Sequence, residues 1–378
     1  MKSSRLKKLG TLGQSLWVDY IRRDLMNNGE LRRLIEEDGV RGMASNPSVF
    51  EKAIAESRDY EGDIRTLLLE GKGAAEIYEV ISQADAQSAA DEFLPIYDKT
   101  KGKEGYVSLE VSPHLAHDTN GTIREARRLW NSLDRPNVFI KVPATVEGLP
   151  AIKQLTSEGI NVNITLLFGL PRYRLAAKAY ISGIEARLLQ GKPVKHVVSV
   201  ACFYVSRIDS FVDPMLKEII TQGGRKADLA REVLGQLAVS SAKMAYQVYK
   251  EIFGNGGFKK LAEQGARVQR LLWASAGTKN PDYSDVKYVE ELIGRDTIVA
   301  LPMVTLNAFR DHGVPKARLE QDIVKARWVL ERLPELGISI DTVTQQLEDE
   351  GVEKFNKPFD KLTESLVKIP SRNLAGVS

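Results

Sequence analysis

Residues 123–142, IREARRLWNSLDRPNVFIKV, carry the pattern that decides the fold. Ile123, Ala126, Leu129, Trp130 and Leu133 recur at three-to-four spacing, which marks one apolar helix face. Val138–Val142 follows as a short apolar run of strand length. Seven more such runs lie along the chain: Leu16–Asp19, Gly42–Ser45, Tyr106–Val111, Asn161–Leu166, Val197–Cys202, Leu271–Ser275 and Thr297–Leu301. Further helical patterns, among them Tyr173–Leu189, Arg225–Phe253 and Val286–Ile293, separate them. Eightfold alternation of strand and helix implies parallel strands joined by crossover helices. Such units close into an α/β fold of the (β/α)8 TIM-barrel type, here with extra helices. The rival, an open doubly wound sheet, wants a G-x-G-x-x-G turn after an early strand, and none follows one here.

Two intervals exceed a simple crossover. Residues 50–104 hold two helical stretches, Tyr60–Leu69 and Ala74–Leu94, and residues 207–270 hold another pair that splits near Gly254–Gly257. Both read as helical insertions, and residues 338–370 read as C-terminal helices. No Pro- or Ser-rich linker and no internal repeat interrupts the chain, so residues 1–378 are expected to form a single barrel domain.

Composition excludes several classes of function. Hydrophobic residues make up 43% and charged residues 27%, which is enough apolar surface to fold. Fifty-three basic against fifty acidic side chains leave a net charge of +3, too balanced for a dedicated nucleic-acid binder. The single cysteine, Cys202, excludes an internal disulfide and a cysteine-based zinc site. His114 and His117, three apart, lack further ligands at metal-binding spacing and read as a satisfied loop pair. No apolar run reaches the ~18 residues of a membrane span. The N-terminal MKSSRLKKLG has no signal core behind it and reads as a solvated arm, which points to a cytoplasmic protein.

The informative residues are those that interrupt the strands. In NVFIKVPAT (137–145), Lys141 sits among Phe139, Ile140 and Val142. Either it is an edge-strand lysine facing solvent, or it is a buried amine whose pKa falls so that it can attack a carbonyl and form a Schiff base. Asp19 ends SLWVD, Glu110 lies between Leu109 and Val111, and Ser45 and Asn46 end the second run. Asn163 and Thr165, two apart, share one strand face. In a closed barrel these C-terminal ends converge on one mouth, where barrel active sites lie. Arg207, Ser275, Lys279 and the Ala276–Gly277 turn suit a phosphate pocket at the same mouth. The plainer readings are a surface pair of Arg207 with Asp209, and a solvated Lys279.

In this order WVDY (17–20), SNPS (45–48), SLEV (108–111), FIKVPAT (139–145), NVNITLLF (161–168) and VSRID (205–209) resemble the transaldolases, over about residues 15–309. Chain length is similar to that of the longer bacterial subgroup. The resemblance implies a class I aldolase-type barrel in the non-oxidative pentose phosphate pathway. Such an enzyme moves a dihydroxyacetone unit from fructose 6-phosphate or sedoheptulose 7-phosphate to an aldose phosphate, with no metal or organic cofactor. It implies a Schiff base on Lys141, proton transfer at the C4 hydroxyl by Asp19, and a catalytic water worked by Glu110 and held by Thr165. It further implies hydroxyl binding by Asn46 and Asn163, with Ser45 beside them, and phosphate binding by Arg207 and Ser275.

The chain departs from the family pattern at four places. Ala44 stands where the family has Thr, and Cys202 where serine is common. The AGTKN loop (276–280) lacks the second phosphate arginine, for which Lys279 is the substitute. Tyr204 stands where similar transaldolases carry Phe and the related fructose-6-phosphate aldolases carry Tyr. Its hydroxyl either finds solvent and changes nothing, or reaches the catalytic water and lets dihydroxyacetone leave without an acceptor. A lysine-dependent fructose-6-phosphate aldolase and a catalytically dead scaffold are the alternative functions. Base rates alone point to a homodimer.

Overall fold

Eight short strands pair in sequence order, all parallel, into a closed barrel. They are β1 (Gln14–Asp19), β2 (Val40–Ala44), β3 (Tyr106–Glu110), β4 (Val138–Pro143), β5 (Val162–Leu167), β6 (Ser199–Tyr204), β7 (Arg270–Ala274) and β8 (Thr297–Leu301). Helices fill every crossover, as a parallel sheet requires. The computed structural model describes residues 4–373, apart from the side chains of residues 55–56 and 367–373.

Register decides which side chains enter the barrel. Partners in a parallel ladder point to the same side of the sheet. The ladders set Trp17 beside Gly42, Gly42 beside Tyr106, Ser108 beside Phe139, Glu110 beside Lys141, and Lys141 beside Asn163. With a side-chain period of two, Trp17 and Asp19 therefore share the interior, as do Tyr106 and Glu110, and Phe139 and Lys141. The lower interior is aromatic: the Phe139 ring lies 6.1 Å from Trp17 and 4.6 Å from Tyr106. Two residues further along each strand, about 6–7 Å higher, the interior turns polar.

The crossovers differ from the sequence reading in four details. Residues 5–11 form a helix that buries Leu6 and Leu9 instead of a solvated arm, because the two leucines sit three apart and leave the charged residues on the other face. Strand β6 begins and ends two residues later than Val197–Cys202, its ladder with β7 running to Tyr204. The Arg225–Phe253 pattern breaks into Arg225–Val233 and Leu237–Phe253, because Gly235 adopts φ +68° and gives its N–H to Asp213 Oδ1 at 3.0 Å. The C-terminal stretch is one helix, Ile340–Asn373.

That last helix crosses the barrel mouth. Its Glu348 pairs with Arg172 of the segment after β5 at 3.0 Å, and both side chains are largely buried. Asp360 meets His114 after β3 at 2.7 Å, and Lys361 meets Glu51 after β2 at 2.6 Å. Phe359 packs edge-on between His114 and Tyr78. The helix thus ties together loops from three strands and roofs the polar half of the interior.

Gly42 is the position the aromatic filling most depends on. A Cβ there would lie 2.5 Å from the fully buried Trp17 ring, which has Phe139 behind it and little room to retreat. Gly42→Ala should destabilise the fold by about 1–3 kcal/mol, the usual cost of overpacking. Urea unfolding followed by tryptophan fluorescence measures it, and an unchanged midpoint would contradict this packing.

Candidate active site

Lys141 emerges from β4 into the upper barrel with only 4% of its side chain exposed. Its ammonium is in direct contact with Glu110 Oε1 on the neighbouring strand, and Nζ donates to the Ser45 carbonyl at 3.1 Å. The Phe355 ring, from the helix that roofs the mouth, lies 5.5 Å from Nζ. Lys141 is therefore not an edge lysine facing solvent.

The electrostatics differ from a simple desolvated amine. Burial pushes the Lys141 pKa down, but Glu110 first, then Tyr204 and Cys202, push it up, and the net direction is above the ordinary lysine value. In the resting site Lys141 is a cation. Burial raises the Glu110 carboxyl against the opposing pull of Lys141, with the Asp19 charge adding to the rise.

Asp19 ends β1 at the same level. Burial raises its pKa, opposed by Lys141, by a hydrogen bond from Asn46, and by the charges of Lys279 and Arg207. Asn46 Nδ2 donates to Asp19 Oδ1 at 3.2 Å, while its Oδ1 caps helix Pro47–Glu56 by accepting from the Val49 N–H at 3.1 Å. The cap fixes the amide and leaves its donor end aimed at Asp19. Ser45 Oγ donates to the Ser108 carbonyl at 2.8 Å, so the loop after β2 is stapled to β3.

A hydrogen-bonded layer supports the pair. Asn163 Nδ2 donates to Ser108 Oγ at 2.9 Å, and the Cys202 thiol donates to Asn163 Oδ1 at 2.9 Å. Cys202 thus takes up a donor role as well as packing, and burial pushes its pKa up to about 12. Thr165 Oγ1 and Tyr204 Oη lie 3.0 Å apart. Burial pushes Tyr204 up to about 12, so the phenol stays protonated. Glu110, Lys141, Thr165, Val352 and Phe355 border a small space of about 10 Å³, the room one water needs.

Arg207 and Lys279, two of the residues expected at the phosphate, lie near enough for their charges to lower the Asp19 pKa. Asp209 is not the partner of Arg207. It accepts from Ala238 N at 2.7 Å, Tyr288 Oη at 2.9 Å and Lys287 Nζ at 3.1 Å. Arg207 instead lies over the Tyr204 ring, and its Nη1 is buried with no partner among the described residues. The Ser206 hydroxyl is in the same state, at the start of helix Ser206–Gln222. Ser275 adopts φ +51°, and its carbonyl accepts from the Ser206 N–H at 3.1 Å, which knits the loops after β6 and β7 together.

Sequence reading missed Ser206, Val352 and Phe355. Ser206 sits within VSRID beside Arg207, so the signal was present. Nothing in GVEKFNKPF (351–359) separates Phe355 from any other apolar helix residue. His114 and His117 meet separate carboxylates, Asp360 and Glu147. Among the described residues no cluster of His, Cys, Asp or Glu is placed to hold a metal ion, and no helix is long and apolar enough to cross a membrane.

Known proteins are similar to this chain over nearly its whole length. The transaldolase/fructose-6-phosphate aldolase family profile matches residues 16–366. A transaldolase of Trichodesmium erythraeum (strain IMS101) is 46% identical over 371 residues, covering 97% of each chain. One of Thiobacillus denitrificans (strain ATCC 25259 / T1) is 45% identical, covering 94% of this chain and 98% of its own. One of Thermobifida fusca (strain YX) is 41% identical, covering 97% and 98%. With its closed parallel barrel and a match spanning all eight strands from Leu16 onward, the chain belongs to the transaldolase/fructose-6-phosphate aldolase family.

Proposed function

We propose that this chain is a transaldolase that moves a dihydroxyacetone unit between sugar phosphates through a Schiff base on Lys141. The observation that carries the reading is the buried Lys141–Glu110 pair beside Asp19 at the C-terminal mouth of the barrel. Sugar-phosphate substrates follow from family membership. Fructose 6-phosphate and sedoheptulose 7-phosphate as donors, and erythrose 4-phosphate and glyceraldehyde 3-phosphate as acceptors, are the finer part of the proposal. A cytoplasmic setting and a homodimer belong to it too, the latter on base rates alone.

The reaction begins with a proton shift. Lys141 becomes nucleophilic when its proton passes to Glu110, whose affinity for it is raised by burial. The free amine attacks the ketose C2 carbonyl and forms a carbinolamine. Protonated Glu110, acting through a water beside Thr165, gives a proton to the departing hydroxyl, which leaves as water and yields the iminium. Asp19 then takes the C4 hydroxyl proton, the C3–C4 bond breaks, and the aldose phosphate departs. The electron pair stays on the donor as an enamine, with the iminium nitrogen as sink. On the acceptor, enamine C3 attacks the aldehyde carbon and Asp19 returns its proton to the new hydroxyl. Water then hydrolyses the iminium and frees Lys141.

Asn46 and Asn163 hold the dihydroxyacetone hydroxyls. Asn163 has one amide proton engaged with Ser108 and one left for substrate. Arg207, with its uncommitted Nη1, Ser206, Ser275 and Lys279 take the phosphate. The resting space beside Lys141 is too small for a sugar, so Val352 and Phe355 must shift for substrate to reach the amine. Their return excludes the solvent that would otherwise protonate the enamine.

A side activity is the second reading, favoured by the 3.0 Å contact of Tyr204 Oη with Thr165. A phenol on the water-holding residue can help protonate the enamine carbon and release dihydroxyacetone without an acceptor.

Four measurements check these roles. Borohydride with fructose 6-phosphate should inactivate the enzyme and leave a reduced three-carbon adduct on the Lys141 peptide; a label on another lysine removes the assignment. Asp19→Asn should lower kcat on the order of 10²–10⁴-fold, the usual worth of a general base. Because burial raises its folded pKa, the ionised form costs stability as pH rises through that pKa. The variant should therefore melt about 1–3 °C higher at pH 7, a gain that vanishes near pH 4; a lower melting temperature at pH 7 contradicts this. Tyr204→Phe should slow acceptor-free glyceraldehyde 3-phosphate formation about 3–10-fold, the worth of one hydrogen bond, while transfer to erythrose 4-phosphate persists. Equal acceptor-free rates mean that the hydroxyl is idle.

A further inference from the structure

A second cavity of the barrel lies away from the catalytic mouth. It opens at the opposite end, around the N-terminal ends of β1, β3, β6 and β7, and measures about 990 Å³. Its wall carries Lys7, Arg41, Lys101, Lys103, Arg267 and Arg270 against only two carboxylates, Glu104 and Asp296. This local excess of positive charge is larger than the +3 of the whole chain. Lys7, Arg41, Lys101 and Lys103 have no carboxylate partner within ion-pair distance among the described residues. Glu104 is already engaged by Arg270 at 2.8 Å and by the Ser15 hydroxyl at 2.6 Å.

The rim is built, not loose. Arg267 donates to the carbonyls of Gly102 and Lys101, the latter at 2.8 Å. Arg270 donates to the Lys103 carbonyl at 2.9 Å. Two guanidiniums at the start of β7 therefore hold the 101–104 turn against the barrel. Within that turn Lys101 adopts φ +53°, a left-handed backbone that disfavours a lysine. The arrangement presents two lysine side chains over a concave surface at a conformational cost. Deeper in, the interior-facing Tyr106, Phe139 and Val200 give it an apolar floor. Phe139 and Trp17 fill the barrel between this floor and Lys141, so the cavity is separate from the catalytic mouth.

We propose that this cavity binds a small molecule carrying a run of two or more phosphates, with any ring portion against the apolar floor. A concave wall of one sign concentrates the field and attracts polyanions. A volume near the upper end of the usual small-ligand range suits a molecule of nucleotide size. Lys101, Lys103 and Lys7 meet the phosphates, because their ammonium groups are not committed to the fold.

Calorimetric titration of the full chain tests this, with ATP and inorganic tripolyphosphate as probes at about 50 mM and about 300 mM salt. One molecule should bind per chain, more weakly at the higher salt. The Lys101→Ala/Lys103→Ala double variant should weaken binding about tenfold or more, with transaldolase activity unchanged. Arg207→Ala, at the other mouth, should leave probe binding unaltered. Tighter binding of ATP than of tripolyphosphate assigns the apolar floor to the ring, and equal binding makes the phosphate chain the whole ligand. The proposal is overturned if neither probe binds at low salt, if the double variant binds as well as the parent chain, or if Arg207→Ala abolishes binding.

Discussion

The contact between Lys141 and Glu110 is the constraint on which the upper half of the molecule depends. Two opposite charges this deep are tolerated only when they meet each other, and beyond the Lys141 ammonium Glu110 has no partner among the described residues. Neighbouring strands β3 and β4 bring them together through register alone, since Glu110 is the ladder partner of Lys141. The Ser45 carbonyl takes a second ammonium proton. A roof of Val352 and Phe355 keeps bulk water out. The same pairing that makes the charges tolerable keeps the proton on Lys141 at rest and sets Glu110 beside it as the nearest carboxylate.

The interior has two halves with opposite jobs. The lower half is filled by the large rings of Trp17, Tyr106 and Phe139; the Tyr106 hydroxyl donates to the Gly102 carbonyl at 2.7 Å, and Trp17 Nε1 is buried with no partner among the described residues. The upper half is built from polar residues that interlock: Asn46 with Asp19, Asn163 with Ser108 and Cys202, Thr165 with Tyr204. Rigidity below is what allows polarity above, since a network of this kind keeps its geometry only on strands that do not shift. Gly42 belongs to the same design, as the smallest residue beside the largest ring.

Much of the fold and site was legible in the chain. The eight apolar runs and the helical patterns between them correspond to the eight strands and their crossovers, because burial on both faces makes a parallel strand apolar throughout. Lys141, Glu110 and Asp19 stood out for the complementary reason: a charge inside such a run has to be explained. Segment ends were less legible. Strand β6 runs two residues later because its ladder with β7, not its own valines, sets where it stops. The N-terminal helix was hidden by its charged residues, although Leu6 and Leu9 are buried along one face.

By itself, the sequence determined the periodicities, and through them the barrel, the inward alternation of each strand and the family. Those properties depend on neighbours along the chain or on a pattern repeated eight times. Only the tertiary structure decided that Lys141 rests as a cation and not as a free amine, because its pKa depends on how close Glu110 lies across a strand ladder. It alone decided that Asp209 is taken by Lys287 and Tyr288, leaving Arg207 uncommitted. It alone brought Phe355, more than two hundred residues away in the chain, over the Lys141 amine. Electrostatics and closure are matters of distance in space, and distance in space is not written in any local stretch of sequence.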